Sequence, residues 1–308
     1  MPAFDHDLVI IGAGPAGLTA GLYAARARLN VLLIEKAVPG GQIIVTDWIE
    51  NYPGFPEGIS GFDLAEKMKN QAEALGLKME TAEVQSLKLT PDVKEVVLQE
   101  KTIQAKSLII ASGASPKKLG IGEDRYMGKG ISFCATCDAP FFKEKTVVAV
   151  GGGDTAVQEA IYLTKFVKKV YLIHRRDELR ATKILQERAF ANDKIEILWD
   201  TVATGVDGFF GIEGVHVKNV KTGEEKTLKA DGCFLWVGTT PNTQFLNDLL
   251  DTDAYGFIRA DARMQTSVPG VFAAGDVRDT PLRQVSTAVG DGAIAAVSAE
   301  HYLENEFT

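Results

Sequence analysis

Two cysteines stand three positions apart in the run Phe133-Cys134-Ala135-Thr136-Cys137-Asp138. A Cys-x-x-Cys pair suits one of two chemistries, reversible dithiol-disulfide exchange or half of a zinc site. Zinc needs two more ligands of Cys, His or carboxylate type. Cys233, the third and last cysteine, and the scattered His6, His216 and His301 show no partner spacing, which favours the redox pair and no metal. Three cysteines are also too few for a disulfide-stapled secreted scaffold. Cys233 lies in an apolar run between Asp231 and Phe234 and reads as a buried, inert thiol.

The elements that would position this pair begin with glycine turns. Asp7-Leu8-Val9-Ile10-Ile11 is an apolar run of strand length, followed by Gly12-Ala13-Gly14-Pro15-Ala16-Gly17 and an Ala/Leu-rich helical stretch to about Arg28. Gly12 permits the tight turn, Gly14 lets a pyrophosphate approach the backbone, and Gly17 lets the helix pack on its strand, with the helix N-terminus facing the phosphates. A second strand, Val31 to Ile34, ends in Glu35, placed to accept hydrogen bonds from a ribose 2'-hydroxyl and to repel a 2'-phosphate.

One such motif is weak evidence, but the chain carries two. Thr146 to Val150 is again an apolar strand, followed by Gly151-Gly152-Gly153-Asp154-Thr155-Ala156 and a periodic helix to about Phe166. Val170 to His174 then aligns with Val31 to Glu35. The copies are in register at an offset of 139 residues, and chance would have to reproduce strand, turn, helix, strand and spacing twice. They differ where the nucleotide would be read. At the place of Glu35 the second copy has His174-Arg175-Arg176, with Arg180 one helical turn on, and guanidinium groups match a 2'-phosphate. Copy one suits FAD or NAD and copy two suits NADPH.

Near the C-terminus, Gly270 to Asp276 is a buried-type strand ending in glycine and a carboxylate, suited to the sugar-alcohol chain of a flavin, which NAD lacks. Arg283-Gln284-Val285 leads into a final helix, Ser286 to about Leu303, whose N-terminal dipole would favour negative charge on a reduced flavin ring. Matching strands, Ser107 to Ala111 and Gly232 to Val237, close the two units at Pro116 and Pro241. The fold class is therefore α/β, with two Rossmann-like, three-layer ββα dinucleotide-binding domains, the second inserted in the first. The expected domains are 1–116 with 243–308 for FAD, and 117–242 for NADPH and the cysteine pair. Val215 to Val220 and the strand after Gly223 form a hairpin, with Glu95 to Gln104 as its counterpart.

Composition narrows the classes. With 308 residues, 45% hydrophobic and 24% charged, the chain is globular rather than disordered or coiled coil. A net charge of -8 offers no basic face for nucleic acid. Leu8 to Ile11 is far too short for a bilayer span, and Asp5 and Asp7 precede it where a secretory signal would carry Lys or Arg, so a cytoplasmic protein is expected.

Four runs, Cys-Ala-Thr-Cys-Asp, Gly-Gly-Gly-Asp-Thr-Ala, His-Arg-Arg-Asp-Glu-Leu-Arg-Ala and Ala-Ala-Gly-Asp-Val, resemble the low-molecular-weight, bacterial-type thioredoxin reductases of the pyridine nucleotide-disulfide oxidoreductase class, over nearly the whole chain. The resemblance implies an FAD-containing homodimer that takes hydride from NADPH, passes electrons through the flavin to its own disulfide and reduces thioredoxin or a thioredoxin-like protein. It makes Cys134 and Cys137 the redox dithiol, one attacking the partner and the other exchanging electrons with flavin. Asp138 becomes the proton donor, its carboxyl raised towards neutrality among Phe133, Phe141 and Phe142; the alternative for Asp138 is a turn residue.

By the same resemblance FAD is held by Gly12, Gly14, Pro15, Ala16, Gly17, Glu35, Lys36, Gly41, Gln42, Asn51, Gly113, Gly275, Asp276, Arg283, Gln284 and Val285. NADPH is held by Gly151, Gly153, Asp154, Thr155, His174, Arg175, Arg176 and Arg180. Ala139-Pro140 departs from the family, where glycine commonly follows the aspartate. A domain rotation about the Pro116 and Pro241 segments is expected, because dithiol and nicotinamide must each reach one flavin. The rivals are an NADPH-dependent flavoprotein reductase or dithiol oxidase on the same scaffold and, from another class, a nucleotide-sensing module. A relative with an added N-terminal redox domain is disfavoured because the first turn begins so early.

Overall fold

In a computed structural model, the structure describes residues 4–46, 49, 51–90 and 93–307; the side chains of Val45, Thr136 and Cys137 lie outside that description. The chain divides into two compact units, Met1–Ser115 with Thr240–Thr308, and Pro116–Thr239.

In the first unit the order is β1 (His6–Ile11), α1 (Pro15–Arg26), β2 (Val31–Glu35), α2 (Gly61–Glu73), β3 (Lys78–Thr81), β4 (Ser86–Leu89), β5 (Lys94–Val97), β6 (Thr102–Ile110) and β7 (Ala114–Pro116). The sheet runs β3-β2-β1-β6-β5-β4. Leu8 to Ile11 register parallel on Val31 to Ile34, and Ile11 also on Ile110. Alternate residues feed opposite faces. Leu8, Ile10, Leu33 and Ile109 pack with α1, while Val9, Ile11, Ile34 and Ile110 enter a second cluster on the other side. Burial on both faces is why these strands read as unbroken apolar runs. Truncating Ile10, which is fully buried, to alanine would cost about 2–5 kcal/mol.

The hairpin expected over Glu95 to Gln104 forms from β5 and the first part of β6, which pair antiparallel. The strand expected from Ser107 is not separate from it but continues the same nine-residue β6, which ends at Ile110.

The second unit contains α3 (Glu123–Tyr126), β8 (Ile131–Ser132), α4 (Ala135–Asp138), β9 (Thr146–Val150), α5 (Asp154–Leu163), β10 (Lys169–Ile173), α6 (Lys183–Phe190), β11 (Ile195–Leu198), β12 (Thr201–Asp207), β13 (Gly214–Asn219), β14 (Glu225–Lys229) and β15 (Gly232–Leu235). Its parallel sheet runs β11-β10-β9-β15-β8, and β12-β13-β14 form an antiparallel sheet that includes the expected hairpin. Helix α5 stops at Leu163, short of Phe166, where the chain turns and the Phe166 amide donates to the Leu163 carbonyl.

The chain returns to the first unit through β16 (Thr239–Pro241), which pairs with β7, and continues into β17 (Val271–Ala273) and α7 (Val285–Phe307). Strand β17 pairs parallel with the C-terminal part of β6. Helix α7 runs four residues beyond the expected end and packs on α1 so closely that a Cβ at Gly292 would lie 2.2 Å from the Ala16 carbonyl oxygen.

Candidate active site

The turn between β1 and α1 separates glycines the fold needs from one it does not. Gly12 has φ +102°, and a Cβ there would lie 2.5 Å from the Ala111 carbonyl oxygen; at Gly17 it would lie 1.8 Å from that of Gly12. Gly14 has ordinary extended angles, φ -72° and ψ -178°, before Pro15 opens α1. A Cβ on Gly14 would meet only the Cα of Gly41, at 3.9 Å. Open space above the first helical turn, rather than packing, is what a glycine at 14 preserves, and a pyrophosphate fits that space and that dipole.

Glu35 ends β2 with its carboxylate fixed by two backbone amides, Ala13 N at 2.8 Å and Ala37 N at 3.0 Å, leaving lone pairs for ribose hydroxyls. The Gly40 amide donates to the Ala13 carbonyl at 2.7 Å and docks the loop carrying Gly41 and Gln42 onto the turn. Lys36 and Gln42 are exposed, and Ala16 is buried. Asn51 donates through Nδ2 to Gln284 Oε1 at 2.9 Å, and Val285 packs on Ile49, Ile59 and Leu64. Gly113 has φ +70°, and its carbonyl accepts the Asn242 amide at 2.9 Å.

Gly275, at φ +77°, leads into Asp276, whose carboxyl is pushed up to about 6, chiefly by burial and also by the like charge of Asp291, against the opposing charge of Arg283. The Arg283 guanidinium lies 4.1 Å from the Phe257 ring centroid. Its Nε is buried and, among the described residues, has no hydrogen-bond partner. Such an orphaned donor calls for a polar ligand atom. The glycine space, Glu35, Asp276 and Arg283 together fit FAD.

The second turn repeats this logic. Gly151 has φ +154°, and a Cβ there would meet Ala156 Cβ at 2.5 Å and the Trp236 carbonyl oxygen at 2.7 Å, whereas at Gly153, with φ -91° and ψ 178°, it would meet nothing within 4 Å. Arg180 N and Ala181 N donate to the Gly152 carbonyl at 2.7 and 3.1 Å, and Thr182 N donates to Asp154 Oδ1 at 2.6 Å, so the arginine loop folds back onto the turn. Asp154 and Thr155 are exposed.

His174 is buried after β10, its ring filling the space a Gly152 Cβ would take. Its pKa is lowered, first by burial and then by the charges of Arg180, Arg176 and Arg175. Its Nε2 is likewise without a partner among the described residues. Three exposed guanidinium groups around an open glycine turn fit a 2'-phosphorylated nucleotide.

Strand β8 delivers the redox loop in the same unit. Cys134 is disulfide-bonded; the Cys137 side chain lies outside the described residues. A disulfide sulfur offers no thiolate to zinc. Cys233 is free and buried, its thiol pushed up first by burial and then by the charge of Glu123. The loop is tied down at several points. Ala135 N donates to Glu159 Oε2 at 3.0 Å, Trp236 Nε1 to the Phe133 carbonyl at 3.1 Å, and Asp138 N to the Cys134 carbonyl at 3.2 Å.

Asp138 is half-buried and accepts from Ser132 Oγ at 2.5 Å. The apolar wall expected around it is incomplete. Phe142 is buried, stacked edge-on against Phe234, but Phe141 is 50% exposed. Ala139 is buried in helical geometry, φ -52° and ψ -39°, so this position requires no glycine.

Sequence reading missed Ser132, Glu159, Arg278 and Asp291. Asp291 is buried on α7, where it accepts from Gly275 N at 3.1 Å and from Arg278 Nε and Nη2 at 2.7 and 3.0 Å. The available signal was a carboxylate between Gly290 and Gly292, in the alanine- and valine-rich part of the helix that precedes Glu300.

Two nucleotide turns in one chain, with a disulfide-bonded cysteine just before the second, define a nucleotide-dependent disulfide oxidoreductase. The family model described as pyridine nucleotide-disulphide oxidoreductase matches residues 6–292, and the chain belongs to that family. It is 46% identical over 301 residues to the thioredoxin reductase of Bacillus subtilis, covering 97% of this chain and 95% of that one. Among solved structures, the thioredoxin reductase of Streptococcus pyogenes superposes with a TM-score of 0.88 at 49% identity, covering 97% of this chain and 98% of that one. That of Lactococcus lactis superposes with a TM-score of 0.74 at 45% identity, covering 98% and 100%.

Proposed function

We propose that this chain is a thioredoxin reductase that converts NADPH, a proton and an oxidised thioredoxin-like protein into NADP and the reduced dithiol protein. The observation that carries this reading is the disulfide-bonded Cys134 in the same unit as the Gly151 to Gly153 turn and its three arginines. FAD, when bound, supplies the two-electron chemistry that links a hydride donor to a disulfide.

The chain's own residues do the rest. Gly12 to Gly17, Glu35 and the Gly275-Asp276 turn hold the flavin nucleotide, with Lys36, Gly41, Gln42, Asn51, Gly113 and Arg283 to Val285 around it. Gly151, Gly153, Asp154, Thr155 and His174 hold NADPH, and Arg175, Arg176 and Arg180 select its 2'-phosphate. Cys134 and Cys137 carry the electrons to the partner, and Asp138 hands over a proton as a thiolate leaves.

Flavin-binding residues and the disulfide belong to different units. Nicotinamide and disulfide must therefore reach one flavin in turn, and a rotation about the Pro116 and Pro241 segments allows it. The working form is a homodimer in the cytoplasm. Among the described residues no helix is long and apolar enough to cross a membrane.

A flavoprotein NADPH reductase or dithiol oxidase acting on another substrate is the second reading. Stopped-flow mixing with NADPH, followed by addition of oxidised thioredoxin, separates the two. Rapid flavin bleaching and then thioredoxin-dependent reoxidation is expected; bleaching without disulfide turnover supports the second reading.

A further inference from the structure

Ser132 is buried at the end of β8, and its hydroxyl makes three contacts on the redox loop. Oγ donates to Asp138 Oδ2 at 2.5 Å, accepts from Cys134 N at 3.1 Å, and lies 3.2 Å from the Cys134 carbonyl oxygen. A hydroxyl has one proton and two acceptor lone pairs. With Asp138 ionised, the proton belongs to the short, charge-assisted contact. With Asp138 protonated, the hydroxyl can turn, give its proton to the Cys134 carbonyl and accept from the carboxyl. One side chain therefore meets Asp138 in both protonation states while keeping its hold on the Cys134 backbone.

We infer that Ser132 is a positioning residue for the proton transfer, holding the Asp138 carboxyl against the redox loop through its full protonation cycle. The chemistry requires such a cycle. Reducing the enzyme disulfide consumes a hydride from NADPH and one proton from water to give two thiols. In exchange with the partner, one enzyme thiol attacks, a mixed disulfide forms, and the partner's own S–S bond breaks. The second enzyme thiol then displaces the partner, so two thiol protons pass to the partner and the enzyme disulfide is restored. A carboxyl that relays one of these protons takes it up and releases it once per turnover, and a partner suited to only one state would let it swing away.

The inference rests on Asp138 being the proton donor, and its test keeps the two apart. Turnover with thioredoxin and flavin reduction by NADPH are measured for wild type, Ser132→Ala, Ser132→Thr, Asp138→Asn and the Ser132→Ala/Asp138→Asn double variant, with flavin content and thermal midpoint checked for each. Ser132→Ala should lower thioredoxin turnover about tenfold or more, the scale of a lost hydrogen bond to a charged group, while the rate of flavin reduction by NADPH is unchanged.

Ser132→Thr keeps the hydroxyl and should stay within about threefold of wild type. In the Asp138→Asn background Ser132→Ala should cause no further loss. Undiminished turnover in Ser132→Ala while Asp138→Asn is impaired overturns the inference alone. So does a full additional loss in the double variant, or a folded, flavin-loaded Ser132→Thr as slow as Ser132→Ala. Undiminished turnover in Asp138→Asn removes the proton-donor reading and the inference with it.

Discussion

Arg278 and Asp291 are joined by two hydrogen bonds, Nε to Oδ2 at 2.7 Å and Nη2 to Oδ1 at 3.0 Å, with side chains only 15% and 9% exposed. Oδ2 also takes the amide of Gly275, so this pair pins the turn that presents Asp276. Removing one partner of a mostly buried pair leaves the other charge uncompensated and costs about 3–5 kcal/mol. Asp291→Ala should therefore lower the thermal midpoint by roughly 10 °C and reduce the flavin retained on gel filtration. An unchanged midpoint would count against the pin.

The glycines can be tested as two kinds. Gly14→Ala and Gly153→Ala meet no clash within the chain and need no unusual backbone angle, so both variants should fold with midpoints close to wild type. Gly14→Ala should lose flavin, and Gly153→Ala should raise KM for NADPH. Gly12→Ala, strained at φ +102° and driven onto the Ala111 carbonyl, should instead be destabilised outright. Loss of folding in Gly14→Ala would show that packing, not ligand space, keeps that glycine.

The Asp276 carboxyl, raised from 3.8 to about 6, gives a pH signature. An acid raised in the folded state binds its proton more tightly folded than unfolded, so between about pH 4 and 6 the folded protein gains protons relative to the unfolded chain. The group's contribution to stability is present below its unfolded value and is lost as pH rises through about 6. In flavin-free protein, the difference in thermal midpoint between wild type and Asp276→Asn should shift against wild type over that window and level off above it. A flat difference would contradict the burial of this carboxyl.

Arg175 and Arg176 bear on nucleotide choice. Each charge-assisted contact to a 2'-phosphate contributes about 1.5–3 kcal/mol, so Arg176→Ala should cut the NADPH over NADH preference in kcat/KM by about tenfold or more, with NADH values little changed. Equal losses with both nucleotides would place the arginine elsewhere than on the 2'-phosphate.

Much of the fold was legible because it is local. Gly12 to Gly17 and Glu35 lie within one strand, turn, helix and strand, and hydrophobic period plus glycine spacing suffices for β1, α1 and β2. What escaped depends on residues distant in sequence or on surface exposure. That β6 is one strand follows from its three partners, β1 on one side and β5 then β17 on the other, and no pattern inside 102–110 reports where a partner changes. The Phe141-Phe142 pair looked equally apolar, yet only Phe142 finds a pocket, against Phe234. Ser132 and Asp291 are ordinary polar residues in the sequence. Their importance arises from Asp138, six residues on, and from Arg278, across the turn that precedes α7.

The most direct test of the central claim is NADPH oxidation coupled to thioredoxin reduction, measured for the purified flavin-loaded protein and for Cys134→Ser, Cys137→Ser and the double variant. The wild type should reduce thioredoxin continuously, and every serine variant should still bleach its flavin with NADPH while failing to turn over thioredoxin. A double variant that reduces thioredoxin at the wild-type rate, or a purified protein that binds no flavin, would contradict the account.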